Sequence, residues 1–435
     1  MRVPIICMDE RLRQFMRTFR SCFSLPQYRY FVIVLLALML CQEPRTLTAL
    51  LRCVAVRSSL SGLSRFLAKA PWEADDLADL WRERFDAQLQ PRIAQAHARQ
   101  RAAGPKRVGR PKATVVTGYL IGDDSTMHKT RGKKMQGLGK HYSTTVRKSV
   151  VGHSLVQLLY VVEGRRCPLV PQLYRQQAVC AAEGVPFQSK IDLMVAQIEA
   201  FTPMEGTQTH VLLDSWYSAK RIWKAARERG FLITTGLRSN RSLRVADVEA
   251  PRGWRWQTVA EYAANLTASD YQQMAWPSGA EEPRQVWVHV VSTRVRKLYR
   301  CQVVIVRESL EAPLKEVRYW ASSDLAACAA TLLGHIAARW DVEVLFADSK
   351  DLLGLDQYQV MSARAIVRFW TLTLAAYAFL DEERDRLRQA WQRHVTIGDA
   401  RREVQRVHWR HLIDWMHQQF QSGATSQTVS ERLAA

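Results

Sequence analysis

The stretch VVTGYLIGDDST, residues 115–126, is a run of apolar and β-branched residues that ends in two aspartates and two hydroxyl residues. Three later runs have a similar β-rich texture: HYSTTVRKSVVGHSLVQLLYVVEG (141–164), THVLLDSWYSAKRIWKAARERG (209–230) and FLITTG (231–236). They predict two or three strands in hairpin relation, then a strand, a helix at about 216–230 and another strand. This order indicates a mixed α/β core.

The composition changes on either side of that core. Apolar residues recur at helical spacing in the first hundred residues, and a stretch rich in Gly, Pro, Lys and Arg then separates them from the core. After the core, the chain alternates with the period of antiparallel strands. We predict a helical N-terminal region at 1–103, a basic linker at 104–113, the core at 114–239 and 321–385, a β-rich insertion at 240–320, and a helical C-terminal region at 386–435.

The chain carries a large positive excess. Its 435 residues include 62 Lys and Arg against 41 Asp and Glu, a formal net charge of +21, and 47% of them are hydrophobic. Such a chain can bury more than one core, and its field attracts polyanions, of which nucleic acid is the commonest. A nucleic-acid partner is therefore the first expectation.

Membrane, secreted and zinc-binding proteins are less compatible with the sequence. The longest apolar run, YFVIVLLALMLC at 30–41, is shorter than the roughly 20 residues of a bilayer span, so it predicts a buried helix. Charged residues precede that run and no clear cleavage site follows it, so we expect a cytoplasmic protein with no membrane partner. The eight cysteines lack CxxC or zinc-finger spacing, which favours reduced thiols.

Aspartates stand where two of the predicted strands end. Asp123 and Asp124 close the first strand, and Asp214 closes HVLLD directly before a helix that Ser215 could cap. Strand ends can lie side by side in one sheet, and clustered carboxylates repel one another unless a cation lies between them. Taken singly, an Asp at such a position is more often a cap or turn residue than a metal ligand.

A third carboxylate comes from RWDVEVLFADSK, residues 339–350. On a helix beginning near position 325, the periodicity puts Arg339, Glu343, Phe346 and Lys350 on one stripe. Glu343 could simply pair with Arg339 as an i, i+4 bridge. The alternative is that this stripe faces the two strand ends.

Together, the carboxylates of Asp124, Asp214 and Glu343 have the chemistry of a divalent metal site. Mg²⁺ or Mn²⁺ takes oxygen ligands and leaves positions open for water and phosphate. Two such ions about 4 Å apart activate a water or 3′-hydroxyl and stabilise the leaving oxygen of a phosphoryl displacement. Arg339 and Lys350 would then bind phosphates of the strand being cut.

The spacing Arg-x₃-Glu-x₆-Lys in RWDVEVLFADSK resembles the signature Tyr-x₂-Arg-x₃-Glu-x₆-Lys of bacterial cut-and-paste DDE transposases, in insertion sequence family four and its close relatives. GDDST and LLDSWYSAK resemble the segments that bear that family's first and second catalytic Asp. The resemblance therefore assigns Asp124, Asp214 and Glu343 as the catalytic triad. The signature Tyr would fall at Ile336, so one phosphate contact of the family is missing or comes from elsewhere.

The resemblance also implies an RNase H-like catalytic core with a β-rich insertion and two Mg²⁺ or Mn²⁺ ions per active site. It implies a homodimer that brings together two double-stranded transposon ends, cuts them in trans and transfers them to target DNA. In relatives a Trp of the insertion stacks on a flipped base. Trp320 is the candidate by position, and a core tryptophan is the alternative. Such a protein would act at the bacterial nucleoid.

Two more segments are candidates for DNA contact. EPRTLTALLRCVAVRSSLSGLSRFLAKAPW (43–72) predicts two short helices around a Ser-rich break, as in a helix-turn-helix reader, although an ordinary helical bundle fits equally well. HKTRGKK (128–134) predicts a basic hairpin against the DNA backbone, or simply a solvated one. The basic residues concerned are Arg45 and Arg65 in the first segment, and Lys129, Arg131, Lys133 and Lys134 in the second.

Two alternatives to an active transposase stay open on the sequence alone. One is a non-catalytic DNA-binding regulator derived from a transposase, against which the intact triad argues. The other is an RNase H-like nuclease without strand transfer, which an assay for joining by a 3′-hydroxyl end would separate from a transposase.

Overall fold

The computed structural model describes residues 8–54, 58–102, 116–130, 132–143, 146–277 and 283–434. The predicted basic linker and Arg131 lie outside these residues. The described chain is a mixed α/β protein with one large mixed sheet and many helices, as the sequence predicts.

The secondary structure of the described chain is as follows. The α-helices are α1 (Glu10–Thr18), α2 (Leu25–Leu40), α3 (Leu47–Cys53), α4 (Leu60–Ala68), α5 (Ala74–Ala102), α6 (Gln177–Glu183), α7 (Lys190–Ala200), α8 (Lys220–Glu228), α9 (Val259–Ala264), α10 (Ala329–Ala338), α11 (Asp341–Asp351), α12 (Ala363–Trp391), α13 (Ile397–Gln421) and α14 (Ser426–Ala434). The strands are β1 (Val116–His128), β2 (Gly139–Ser143), β3 (Lys148–Val162), β4 (Arg165–Pro168), β5 (Gln172–Tyr174), β6 (Thr207–Leu213), β7 (Leu232–Leu237), β8 (Ser242–Ala246), β9 (Trp254–Thr258), β10 (Gln272–Ala275), β11 (Gln285–Arg294), β12 (Arg300–Arg307) and β13 (Arg318–Ser322).

The main sheet is built around β1. Its order is β10-β11-β12-β13-β7-β6-β1-β3-β2, with β1 antiparallel to β3 and parallel to β6, and β6 parallel to β7. Strand β13 pairs antiparallel with β7, so most strands of the 240–320 segment continue this sheet, whereas β8 and β9 form a separate hairpin. The predicted strand–helix–strand order of β6, α8 and β7 is confirmed.

Helices dominate the first hundred residues, as predicted, with α1 to α5 in the described part. The apolar run at 30–41 lies in α2, where Ile33 to Leu40 are all buried, so the predicted buried helix is confirmed. Helix α12 is long and apolar enough to cross a bilayer, but 83% of its most apolar window is buried inside the protein, which is typical of a core helix.

A buried ionic network connects α12 to the start of α11. Asp381 on α12 accepts hydrogen bonds from Arg165 Nε at 2.7 Å and from the Arg166 amide at 3.0 Å. Burial raises the pKa of Asp381, but the guanidiniums of Arg384 and Arg165 outweigh it and hold the pKa below its usual value. The Arg166 side chain in turn donates to Asp341 at the first residue of α11. The network therefore fixes where α11 begins.

Buried neutral histidines make the fold sensitive to acid. His408 on α13 is buried, and burial, followed by the charge of His411, lowers its pKa to about 4. Below its ordinary pKa of about 6.5 the unfolded chain gains a proton that the folded chain excludes, so stability falls as the pH drops from about 6.5 towards 4. This single group costs roughly 2 kcal/mol at pH 5 relative to pH 8.

We therefore expect His408→Leu to reduce the loss of unfolding free energy between pH 8 and pH 5 by roughly 2 kcal/mol, measured by urea denaturation. The exposed His417 lies on the same helix, and His417→Leu is the matched control, which should keep the parent pH dependence. An unchanged pH slope in His408→Leu would contradict this account.

Candidate active site

Side chains along β1 alternate between the two faces of the sheet. On one face, Tyr119 contacts His335 of α10, with 3.2 Å between its hydroxyl and Nδ1, and Ser125 Oγ accepts a hydrogen bond from Lys350 of α11 at 2.7 Å. On the other face, a Cβ added to Gly122 would meet the side chain of Met194 on α7. Odd-numbered residues of β1 therefore face α10 and α11, and even-numbered residues face α7.

This alternation separates the two neighbouring aspartates. Asp123 lies on the face of α11, where Arg339 Nη1 is 3.7 Å from its Oδ2. Asp124 lies on the face of α7, where its carboxylate forms an ion pair with Lys190 and accepts a hydrogen bond from the Tyr217 hydroxyl at 2.9 Å. The carboxylate that shares a face with Glu343 is therefore that of Asp123.

The strand end predicted at these two aspartates is wrong, because β1 continues to His128 along its antiparallel partner β3. What ends here is the parallel ladder with β6, whose last pair is Gly122 with Leu213. Asp123 and Asp214 are therefore the first residues beyond that ladder on adjacent strands. The two carboxylates come from neighbouring positions, although only one strand ends there.

Asp214 begins a tight turn. Its Oδ1 accepts a hydrogen bond from the Ser215 amide at 2.5 Å, and Ser215–Tyr217 form a 3₁₀ turn before α8 begins at Lys220. The predicted helix at about 216 thus starts four residues later. Gly236 of β7 lies against this turn, and a Cβ there would be 2.8 Å from the Ser215 amide nitrogen. The turn can approach β7 this closely because position 236 is a glycine.

Glu343 stands near the start of α11. The stretch predicted to be one helix is divided at Arg339 and Trp340, because the Trp340 amide bonds to Ala337 three residues back and α11 begins at Asp341. Both junction residues keep helical dihedrals, so the i, i+4 pair forms across the break, with Arg339 Nη2 2.6 Å from Glu343 Oε1. Since Arg339 also faces Asp123, one guanidinium lies between the carboxylates of β1 and α11.

The electrostatics of Asp123 indicate a place for a cation. Burial raises its pKa to about 7, and the negative charges of Asp124 and Asp214 add to this, while Arg339 and the Asp124 amide act in the opposite direction. A carboxyl group so disfavoured in its charged form gains most from a divalent ion. Across the described ranges, no three His, Cys, Asp or Glu side chains lie close enough together to hold an ion as they stand. The carboxylate oxygens of Asp123, Asp214 and Glu343 are of the type that Mg²⁺ or Mn²⁺ prefers. Arg339 lies between Asp123 and Glu343.

The opposite face carries residues that the sequence analysis missed. Lys190 contacts Asp124, and the buried Tyr217 has its pKa raised well above the usual value by burial and by the carboxylates around it, chiefly that of Asp124. Burial, with the Lys190 charge next, lowers the pKa of His141 on β2 to about 4. Tyr217 lies three residues after Asp214, so adjacency could have indicated it. Nothing in the local sequence marks Lys190 or His141.

The family of the chain follows from a comparison of sequences. Residues 18–283 match the family model described as DDE superfamily endonuclease. The chain belongs to the DDE superfamily endonucleases. The matched range includes Asp123, Asp124 and Asp214, and ends before Glu343.

Among solved structures, this DDE endonuclease is similar to the piggyBac transposase in a cryo-EM synaptic complex with hairpin DNA. The TM-score is 0.44 at 10% sequence identity, over 99% of this chain and 82% of that chain. A comparison with curated proteins finds no match.

Two residues predicted to contact DNA donate hydrogen bonds to backbone carbonyls of the protein itself. Arg45 is buried and donates to the Leu352 carbonyl at 2.8 Å, and burial lowers its pKa. Lys129 donates to the carbonyls of Asp356 and Tyr358 at 2.5 and 2.8 Å, and burial lowers its pKa to about 8. Each of these two cations satisfies backbone carbonyls of its own chain, and contact of Arg45 and Lys129 with DNA stays a prediction.

The other predicted DNA contacts remain accessible. Arg65, Lys133 and Lys134 are exposed. Lys350 is half-buried beside Ser125, and burial lowers its pKa, so it lies on the face of Asp123.

Trp320 lines a cavity of about 520 Å³ next to Arg339. It pairs with Gly236 across the β13–β7 ladder, which puts it beside the Asp214 turn. Two further tryptophans, Trp276 and the exposed Trp340, share the cavity, and Ile336 contributes an apolar wall. Ile336, where the signature that the sequence resembles would have its tyrosine, therefore lies in the wall of this cavity.

The close approach at Gly236 predicts opposite effects for two substitutions. Gly236→Ala should push the Asp214 turn away from β7 and reduce the unfolding free energy by roughly 1–3 kcal/mol. The matched control is Gly334→Ala in α10, where an added Cβ meets nothing within 4 Å. It should stabilise the protein by roughly 0.5–1 kcal/mol through helix propensity. Urea unfolding of both variants tests this, and a neutral Gly236→Ala would contradict the packing of the turn.

Proposed function

We propose that the protein is a DNA transposase that cuts transposon ends by metal-dependent phosphodiester cleavage and joins them to target DNA. The observation that carries this is the Arg339 guanidinium between the carboxylates of Asp123 and Glu343. Asp214 follows the adjacent strand at the level of Asp123, and its charge acts on Asp123. Membership of the DDE superfamily endonucleases supports the type of chemistry.

We propose Asp123 as the first carboxylate of the triad, in place of Asp124. Its side chain is on the face of α11, it follows the last parallel pair of β1 and β6, and the charge of Asp214 acts on it. Asp124 is already neutralised by Lys190 and held by Tyr217 on the opposite face. We assign Asp124, Lys190 and Tyr217 a positioning role, in which their contacts on the α7 face of the sheet hold β1 in register.

Asp123, Asp214 and Glu343 would hold Mg²⁺ or Mn²⁺, two ions in each site. When bound, such ions supply activation of the attacking hydroxyl and stabilisation of the leaving oxygen. In their absence, Arg339 offsets the charge of Asp123 and Glu343. With DNA bound, Arg339 would turn towards a phosphate, for which its planar fork is suited, and Lys350 would add a second positive charge beside Ser125.

The finer assignments belong to the same proposal. An RNase H-like core formed by β1, β3, β6 and β7 is supported by the antiparallel pairing of β1 with β3 and the parallel pairing of β1, β6 and β7. The insertion sequence relationship, binding to terminal inverted repeats, a homodimer and cleavage in trans are supported by the signature residues Arg339, Glu343 and Lys350.

Cleavage of a supercoiled plasmid carrying the element's own ends, with Mg²⁺, tests this proposal. Asp123→Asn and Glu343→Gln should each reduce cutting about 100-fold or more, because each removes an oxygen donor of the metal site. Asp124→Asn is the matched control on the neighbouring residue, and we expect less than about a tenfold loss. EDTA should abolish cutting in every protein.

Three results would change the proposal. Loss of cutting in Asp124→Asn with retention in Asp123→Asn would return the first role to Asp124. Cutting without joining of 3′-hydroxyl ends would favour a nuclease without strand transfer. Tight binding of the ends without any cutting would favour a DNA-binding regulator.

The position of Arg339 predicts opposite effects on metal binding and on catalysis. Arg339→Gln should bind Mn²⁺ roughly tenfold more tightly in the absence of DNA, because it removes the cation between Asp123 and Glu343. The same variant should cut DNA more slowly, since a phosphate contact is lost. Calorimetric Mn²⁺ titration and the plasmid assay measure the two effects. Arg221→Gln, at an exposed arginine of α8, is the control and should change neither. Unchanged or weaker Mn²⁺ binding would contradict the arrangement.

A further inference from the structure

A basic surface lies outside the candidate active site, where the β8–β9 hairpin packs against the end of the β11–β12 hairpin. A groove of about 580 Å³ opens between them. We call it the hairpin groove and define it by the residues that carry the argument: Arg244, Trp254, Arg294, Tyr299 and Arg300. The two hairpins are joined by hydrogen bonds from Thr293 Oγ1 to the Arg244 carbonyl and from the Arg296 amide to the Ser242 carbonyl.

The groove concentrates positive charge without compensation. Arg244, Arg294 and Arg300 are all exposed, and none of the three pairs with a carboxylate in the described chain. The nearest acidic residue of the β8–β9 hairpin, Asp247, is engaged by Arg255 at 3.3 Å. The sequence contains no Asp or Glu between 283 and 307.

The positions of two of these arginines lower the stability of the fold. Arg294 and Arg300 stand directly opposite each other at the end of the antiparallel β11–β12 ladder. Like charges at directly opposed positions destabilise a sheet, and an anion between them would remove that repulsion. Arg244 approaches from the second hairpin, with its guanidinium 4.5 Å from the centre of the Trp254 ring, which holds it over the groove. The turn between β11 and β12 adds Arg296 and Lys297, both exposed.

The groove is distant from the candidate site along the same hairpin. The ladder of β11 and β12 runs from the pair Trp287 with Arg307 to the pair Arg294 with Arg300. Seven residues of strand span about 23 Å. The near end adjoins the cavity of Trp320 and Arg339, since Val306 and Glu308 line that cavity. A ligand extended over that distance, with regularly spaced anionic groups, would contact both ends.

We propose that the hairpin groove binds the phosphodiester backbone of duplex DNA at a point remote from the cut, with Arg244, Arg294 and Arg300 each neutralising a phosphate. The proposal rests on the proposed function only in taking DNA as the ligand. It does not depend on which carboxylate is catalytic or on whether the protein cuts.

The test is binding of a random-sequence 30-base-pair duplex in EDTA, where cleavage cannot occur, over a range of salt concentrations. In the triple variant Arg244→Gln, Arg294→Gln, Arg300→Gln, the slope of log affinity against log salt should become shallower by about 2.7, which is about 0.9 for each lost phosphate contact. The conservative triple variant with Lys at the same positions should keep most of the parent slope.

The matched control neutralises three exposed arginines on and before α13, Arg393, Arg402 and Arg410, and so changes the net charge equally. We expect its salt slope to stay within about one of the parent value. Equal slopes for the two Gln variants would overturn the proposal, because the groove would then act only through net charge. The same titration with a single-stranded probe of equal length completes the test, and a shallower slope seen with that probe but not with the duplex would also overturn the proposal. Far-ultraviolet circular dichroism and urea unfolding establish that each variant is folded.

Failure of this proposal and failure of the proposed function give different results. If Asp123→Asn and Glu343→Gln still cut DNA, the catalytic assignment fails while the salt slopes are unaffected. If the slopes of the two triple variants coincide while those two substitutions abolish cutting, the groove fails and the catalytic site stands.

Discussion

The candidate active site depends on the alternation of side chains along β1. Because this strand lies between an antiparallel and a parallel partner, its register is fixed on both sides. That register turns Asp123 towards α11 and Asp124 towards α7. A slip of one residue would exchange the two aspartates and would also bring the wrong face of the strand into the core. The position of the carboxylate that we propose as catalytic and the packing of the sheet therefore depend on the same register.

The second constraint is the placement of α11 over that face. The helix begins at Asp341, which Arg166 holds, and Arg166 stands on β4 against the buried Asp381 of α12. Glu343 is thus positioned by a network that starts on the buried core helix α12. Arg339 then links Glu343 with Asp123, so the three charges lie close together before any ligand arrives. We infer that the Arg339 guanidinium keeps the carboxylates of Asp123 and Glu343 close together until a metal ion binds.

The sequence predicted those parts of the site that depend on local periodicity. The pair of Arg339 and Glu343 follows from helical spacing and is present even though the helix is divided at Trp340. The choice between Asp123 and Asp124 depends on which face α11 covers, and a long-range contact of that kind leaves no local pattern. Arg45 and Lys129 show a related limit, since a basic residue on an apparent polar face can turn inwards to backbone carbonyls. Lys190 lies 66 residues after Asp124 in the sequence, and only the fold brings the two together.

The central claim is that a divalent ion binds between Asp123, Asp214 and Glu343. Replacing Mg²⁺ with Fe²⁺ and adding ascorbate and peroxide generates hydroxyl radicals at the metal, which cut the polypeptide nearby. Mass spectrometry of the fragments would then locate the ion without any DNA substrate. The account predicts cuts close to positions 123, 214 and 343, suppressed by excess Mg²⁺ and lost in Asp123→Asn. Cuts elsewhere in the chain, or an unchanged pattern in Asp123→Asn, would contradict it.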